Sequence, residues 1–341
     1  MNKTNKTWVD VYQPRTLADL EQNPKLLNIL NHFINTGSLS HLIFYGPPGT
    51  GKSTAAKILA KTFFNVKSLE STTSFFEPNV YKERVLELDA STDRGIKVVR
   101  EKIKSFVEQP LGIYPGLVVP NFKLIILDEA DALTTESQFA LRRMMESYAQ
   151  TTRFIIICNY FTKIIEPLIS RCIREQFMEL SSENMKKVIQ KIQAKEGFSV
   201  TEQFYSELNR IVSGDMRKAI NLVQRCYNVD PEMKIQTLQE TSGQVPELEV
   251  VKIWETVKST FNFCTIKTCT ENFRINSYNS LTVLPLLVKI VGVDADLDDI
   301  KKMKIIHQIQ RFDKNINSGG SEFVQFFTLL SRISHIIHEL Q

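Results

Sequence analysis

The run Gly46-Pro47-Pro48-Gly49-Thr50-Gly51-Lys52-Ser53, continued by Thr54, has the residue types and spacing of a phosphate cradle. It follows an apolar run, Leu42-Ile43-Phe44-Tyr45, and leads into a helix-like segment ending at Phe64. Strand, glycine-rich loop, Lys-Ser and helix together make a P-loop. Glycines let backbone N–H groups converge on phosphate oxygens where a Cβ would crowd them. The helix adds its positive N-terminal end at the same place. Lys52 then reaches the β- and γ-phosphates of ATP, and the Ser53 hydroxyl holds Mg2+.

A second constellation complements the first. Lys123-Leu124-Ile125-Ile126-Leu127-Asp128-Glu129 is an apolar strand ending in two carboxylates, the Walker B arrangement. Asp128 at the strand tip can share the Mg2+ with Ser53. Glu129 can orient and deprotonate a water aimed at the γ-phosphate. The string Asp128-Glu129-Ala130-Asp131 also spells the helicase signature DEAD. A helicase of that kind needs a second domain of the same strand-rich type, and the chain after Leu180 reads as helices only, so the match is coincidental.

Weaker signals follow. Asn159 ends the apolar run Phe154-Ile155-Ile156-Ile157-Cys158, where an amide can hydrogen-bond an attacking water but is more often a turn former. Arg171, in Ser170-Arg171-Cys172, reads first as a surface arginine and second as a finger reaching a neighbouring subunit. Arg217 follows Gly214-Asp215-Met216 in the first turn of a helix, where the dipole disfavours a cation and an anionic partner favours one. Lys97, Arg100 and Lys104 fall within about a 60° arc of one helix, with Arg94 just before it, a stripe that suits a phosphate backbone or plain solvent equally.

These residues require a scaffold, and the first half of the chain supplies one. Strands are expected over 42–45, 85–88, 124–127, 154–158 and, more weakly, 175–178, with helices over 52–64, 96–108 and 136–149. Alternating strands and helices predict an α/β fold with a parallel sheet covered on both faces. Beyond residue 180 the pattern turns helical, over 181–196, 201–212 and 215–227. The stretch 228–246 carries Pro231, Gly243 and Pro246 and reads as a linker, and helices resume from 247 with a break at 317–320. The stretches 66–83 and 111–121 read as long loops.

Composition limits the class without choosing it. The 341 residues suggest two or three domains, and a net charge of +4 permits nucleic-acid contact without demanding it. Five cysteines without paired spacing predict free thiols in a reducing compartment. No apolar run approaches the ~20 residues of a bilayer span, and the polar N-terminus is not a secretory signal, so a soluble intracellular protein with no membrane partner is expected.

In this order the motifs resemble the small subunits of the replication factor C clamp loader, within the AAA+ ATPases. The likeness rests on Trp8-Val9-Asp10-Val11-Tyr12-Gln13-Pro14, on the P-loop, and on Leu88-Asp89-Ala90-Ser91-Thr92-Asp93-Arg94-Gly95. It continues through Ala140-Leu141-Arg142-Arg143-Met144-Met145-Glu146, Cys158-Asn159-Tyr160, Ser170-Arg171-Cys172 and Gly214-Asp215-Met216-Arg217. The resemblance implies an AAA+ P-loop domain over 1–178, a small helical lid over 179–240 and an all-α collar over 241–341. It implies Asn159 and Arg217 as the two sensors, Arg171 as a finger acting on a neighbour's ATP, and Val9 and Tyr12 at the adenine. It implies Arg94 and Arg100 on duplex DNA. The implied assembly is a hetero-pentamer with other loader subunits that loads a sliding clamp ring onto primer–template DNA, in a nucleus or a virus's replication compartment.

Two departures stand out. The opening motif of the family carries Lys and Arg where this chain has Val11 and Gln13, so two cations near the base are missing. The two long loops look like insertions. A branch-migration motor of the same superfamily and a structural loader subunit with little hydrolysis of its own are the competing expectations.

Overall fold

The computed structural model describes residues 7–64, 80–91, 96–112, 119–243, 245–259, 261–276 and 278–338. The chain divides into two compact units, 1–224 and 225–341.

The first unit opens with α1 (Trp8–Val11) and α2 (Pro24–Thr36), followed by β1 (Leu42–Tyr45), α3 (Lys52–Phe64), α4 (Val80–Arg84), β2 (Val85–Asp89) and α5 (Ile96–Glu108). It continues through β3 (Lys123–Asp128), α6 (Thr135–Ser147), β4 (Thr152–Cys158), α7 (Glu166–Ile169) and β5 (Ile173–Gln176) to α8 (Ser182–Glu196), α9 (Glu202–Val212) and α10 (Met216–Val229). The five strands form one sheet in the order β2-β3-β4-β1-β5, and every pairing is parallel.

Parallel strands need both faces covered, and successive side chains point to opposite faces. Leu42, Phe44, Leu124, Ile126, Ile155 and Ile157 face one core, packed on Leu30 of α2 and Ala55 and Leu59 of α3. Ile43, Ile125, Leu127, Phe154, Ile156 and Cys158 face the other, against Ile103 of α5 and Leu141 and Met145 of α6. Helix starts carry their own caps. Thr134, Ser181 and Thr201 each accept a hydrogen bond from the N–H three residues on, and Asn23, just before Pro24, accepts from the Lys25 N–H two residues on.

Among the described residues the second unit contains only helices after the end of α10: α11 (Ile235–Ser242), α12 (Glu247–Ser259), α13 (Phe263–Ile275), α14 (Ser280–Val293), α15 (Asp299–Asn317) and α16 (Glu322–His338). Trp254, Phe273, Leu287, Ile305, Phe326 and Ile333 share its core. Among the described residues no helix is long and apolar enough to cross a membrane. All five cysteines are free.

Helices α1 and α2 precede the first expected element, and three further differences from the sequence reading have physical causes. Helix α11 lies inside the expected linker, anchored by buried Thr237 and Leu238 and ended by Gly243 at φ 66°. Strand β5 is two residues earlier than its apolar character suggested. Main-chain bonds fix it, with the Ile173 N–H donating to the His41 carbonyl at 2.9 Å and the Phe177 N–H to the Tyr45 carbonyl at 2.8 Å. Helix α4 ends the first expected loop, because Val80 and Arg84 are buried. Most of that loop, and 113–118 of the second, lie outside the described residues.

Candidate nucleotide site

Register brings the chemistry to one edge. Tyr45 pairs with Cys158, and Leu127 with Ile156, so the residues that follow β1, β3 and β4 emerge side by side at the C-terminal end of the sheet. Open α/β sheets bind ligands at that end. Gly46 to Thr54, Asp128 with Glu129, and Asn159 therefore meet there because of topology, although they are far apart in the chain.

The loop after β1 is held from three directions. Gly46 has φ 142°, and a Cβ there would sit 2.1 Å from the Phe177 carbonyl oxygen. Gly49 has φ 73°, and a Cβ there would sit 1.8 Å from Asp215 Oδ1. At Gly46 a side chain would collide with backbone, whereas at Gly49 it would have to displace the Asp215 carboxylate; at both the positive φ strains any residue but glycine. Gln22, buried, donates from Nε2 to the Thr50 carbonyl at 2.9 Å and to the Met178 carbonyl at 3.1 Å. The Thr50 hydroxyl donates back to the Pro47 carbonyl at 2.9 Å, which tightens the turn around Pro48. Gln13 reaches the Thr54 hydroxyl at 3.2 Å.

Lys52 lies folded over this loop, 6 % exposed, with Nζ donating to the Gly46 carbonyl at 2.8 Å and the Pro47 carbonyl at 2.6 Å. Burial pulls its pKa below the ordinary lysine value. The Asp128 carboxylate is the main opposing influence, Asp131 acts the same way, and the Arg217 cation adds to the depression. A buried ammonium satisfied only by carbonyls is a strong recipient for anionic oxygens.

Arg217 comes within range of Lys52 through α10. The Met216 N–H donates to the Gly49 carbonyl at 3.3 Å, and Asp215 caps the helix by accepting from the Lys218 N–H at 3.1 Å. The cation in the first helical turn thus sits exposed beside the phosphate loop.

The acidic tip of β3 is also constrained. Glu129 takes the left-handed conformation at φ 52°, uncommon for a residue with a side chain, and donates its N–H to Asp128 Oδ1 at 2.9 Å. Its side chain is exposed. Asp131 accepts from the Tyr160 N–H at 3.2 Å, so the segment after β3 grips the segment after β4 on which Asn159 lies. Burial pushes the Cys158 thiol up to about 12, which keeps the neighbour of Asn159 neutral.

Trp8, Val9 and Tyr12 sit on α1 and at its end. Trp8 stacks on Phe198 with centroids 5.8 Å apart, and its main-chain N–H donates to Gln224 Oε1 at 3.0 Å. Tyr12 donates to Glu196 Oε1 at 2.7 Å; burial and that carboxylate push the phenol up to about 12. The N-terminal segment is thereby fixed to the helices after the sheet, with Val9 and Tyr12 half-buried.

The donor set suits a triphosphate with Mg2+. Among the described residues no group of three or more His, Cys, Asp or Glu could cage a metal. Mg2+ commonly takes one or two protein oxygens together with substrate phosphates, and Ser53 and Asp128 are the residues that could supply them.

Other expected residues lie elsewhere. Arg171 sits after α7, where Nη1 donates to the Pro167 carbonyl at 2.6 Å and Nη2 pairs with Glu146. Arg100 is exposed on α5. Arg94 lies outside the described residues, as does the side chain of Lys97, whose backbone belongs to α5. Gln22, Asp131 and Asp215 escaped the sequence reading as site supports. The helix-capping position of Asp215 was visible, but its contact with Gly49 was not.

The ATPase family associated with various cellular activities matches residues 42–180. Replication factor C subunit 4 of Arabidopsis thaliana is 38% identical over 334 residues, covering 96% of this chain and 95% of that protein. Replication factor C subunit 2 of Schizosaccharomyces pombe is 36% identical over 335 residues, covering 97% and 95%. Replication factor C subunit 4 of Homo sapiens is 32% identical over 330 residues, covering 96% and 87%. Among solved structures, the Thermotoga maritima RuvB Holliday junction branch migration motor matches with a TM-score of 0.51 at 16% identity, over 73% of this chain and 80% of that one. At that identity the likeness is one of fold.

Proposed function

Because this chain belongs to the replication factor C subunit family of AAA+ clamp-loader ATPases, we propose that it binds ATP on the 46–54 loop and hydrolyses it to drive loading of a ring clamp onto primer–template DNA. The observation that carries this reading is the contact of Gly49 with Asp215, which sets the start of α10 and its Arg217 on the phosphate loop beside Lys52. A helix seated there reports directly on what the loop holds.

In this reading the backbone amides of the loop and Lys52 bind the phosphates, while Val9 and Tyr12 flank the base. Ser53 and Asp128 would hold Mg2+, which would supply positive charge against the phosphates. Glu129 takes a proton from the attacking water as its oxygen bonds to the γ-phosphorus and the bond to the ADP oxygen breaks. Asn159 orients that water, and Arg217 binds the γ-phosphate. Arg171 acts in trans on the ATP of an adjacent subunit, a contribution worth roughly 10³–10⁵ in rate where such fingers operate. The differential contact of Asn159 and Arg217 with ATP and ADP is the source of a conformational switch.

The helices over 179–240 serve as a lid and those over 241–341 as a collar joining a hetero-pentamer. Arg94, Lys97 and Arg100 track the duplex phosphates, giving a salt-dependent affinity. The place of action is the nucleus or an equivalent replication compartment.

The test is Lys52→Ala in the assembled loader. Nucleotide binding at this subunit and ATP-dependent clamp loading are both expected to be lost, with assembly retained. Wild-type loading by that variant would overturn the proposal.

A further inference from the structure

The candidate finger is not free to wander. Arg171 Nη2 pairs with Glu146 Oε1, and Nη1 donates to the Pro167 carbonyl at 2.6 Å. The same Glu146 oxygen accepts from Arg142 Nε at 3.2 Å, one helical turn back on α6. Arg142 therefore favours one rotamer of Glu146, and Glu146 in turn orients the guanidinium of Arg171. Two guanidinium groups around one carboxylate leave a net charge of +1, so the cluster still attracts an anion. A guanidinium carries five N–H donors, and two of them account for the contacts described. The rest can serve an external phosphate while the first two hold the plane of the group. Arg171 keeps a side-chain exposure of 32 %, enough to meet a ligand from outside the chain.

We propose that Glu146 is a positioning residue that pre-orients Arg171 for the γ-phosphate on a neighbouring subunit, acting only through that arginine. The inference rests on the trans role given to Arg171 above. A long side chain pinned at two points loses little further freedom on docking, which is how preorganisation raises a rate. Glu146 itself touches no reacting atom.

The experiment is a double-mutant cycle in the assembled loader, arranged so that only the neighbouring site retains its general base. Steady-state hydrolysis of Mg·ATP supplies kcat and KM. Arg171→Ala is expected to lower kcat on the order of 10³-fold. Glu146→Ala is expected to lower kcat on the order of 10-fold with KM nearly unchanged, since misplacement of a catalytic group is felt in the transition state. Glu146→Gln, which keeps a neutral acceptor, should fall between wild type and Glu146→Ala, and it carries the test if the alanine variant does not assemble. In the Arg171→Ala background Glu146→Ala should add nothing. An additive loss in that background, or an unchanged or faster rate for both Glu146 variants, overturns the positioning role alone. An unchanged rate for Arg171→Ala overturns the trans reading and this inference with it.

Discussion

At the scale of single residues, the decisive groups are those whose surroundings leave them one arrangement. Lys52 is one, held by two carbonyls. His41 is another, and it makes a pH-dependent prediction. The Phe154 N–H donates to His41 Nδ1 at 3.2 Å, which requires an unprotonated nitrogen there. Burial first, and the Arg153 cation second, push the His41 pKa down to about 4. An unfolded histidine titrates near 6.5, so between these values the unfolded chain takes up a proton that the folded chain refuses. The stabilisation is complete above about pH 6.5 and is lost as pH falls toward 4. With allowance for partial solvent contact, this loss amounts to about 1–2 kcal/mol. Denaturant midpoints measured from pH 7 down to 4.5 should fall more steeply for wild type than for His41→Asn, whose amide oxygen can accept the same N–H without titrating. Parallel curves would show that His41 carries no such linkage.

At the scale of elements, α6 ties together the two strands that deliver the acidic tip and Asn159. Gln138, buried at 2 % exposure, donates to the Leu133 carbonyl at 3.3 Å and the Lys163 carbonyl at 3.0 Å, and accepts from the Ile165 N–H at 2.9 Å. Gln138→Leu keeps similar bulk but orphans three main-chain groups. Each unsatisfied buried group costs roughly 1–3 kcal/mol. A loss of about 3 kcal/mol in unfolding free energy is therefore expected, read from the denaturant midpoint at unchanged slope; a loss below about 1 kcal/mol would mean that water or a shifted backbone replaces the amide. Gln138 shows why some elements were readable and others were not. Strand β1 and helices α3 and α5 match the sequence reading residue for residue, because an unbroken apolar run or a long 3.6-residue period is local information. Helix α11 spans eight residues, too few for a period to emerge among Pro231, Gly243 and Pro246. Strand β5 has only Glu175 buried, so its extent depends on the partner strand rather than on its own side chains. The same division runs through the site. The phosphate loop and the Asp128-Glu129 tip are contiguous strings, whereas Gln22, Asp215 and Gln138 act across 25 or more positions, through contacts that leave no sequence pattern.

At the scale of the whole molecule, the two units have separate hydrophobic cores, and the candidate nucleotide residues all belong to the first. Independent cores in a multidomain chain predict more than one unfolding step. A ligand that binds only the folded first unit stabilises that unit by mass action, by about 2.7 kcal/mol at a hundred times its Kd. For a unit of 224 residues this raises the midpoint by about 5–10 °C. The distribution of tryptophans allows the shift to be assigned. The chain has two, Trp8 in the first unit and Trp254 in the second. In Trp254→Phe, fluorescence reports the first unit alone, from an indole stacked on Phe198. The substitution also removes the bond from Trp254 Nε1 to Asp294 Oδ2 at 2.9 Å, so it should lower the second midpoint and spare the first. Calorimetry of wild type with ATP and Mg2+ should then show one transition moving up and the other fixed, and the fluorescence of Trp254→Phe should follow the moving one. If both transitions rise together, the units unfold as one block. If neither rises, the loop around Lys52 takes up no nucleotide in the isolated chain, and the site is complete only with a neighbouring subunit.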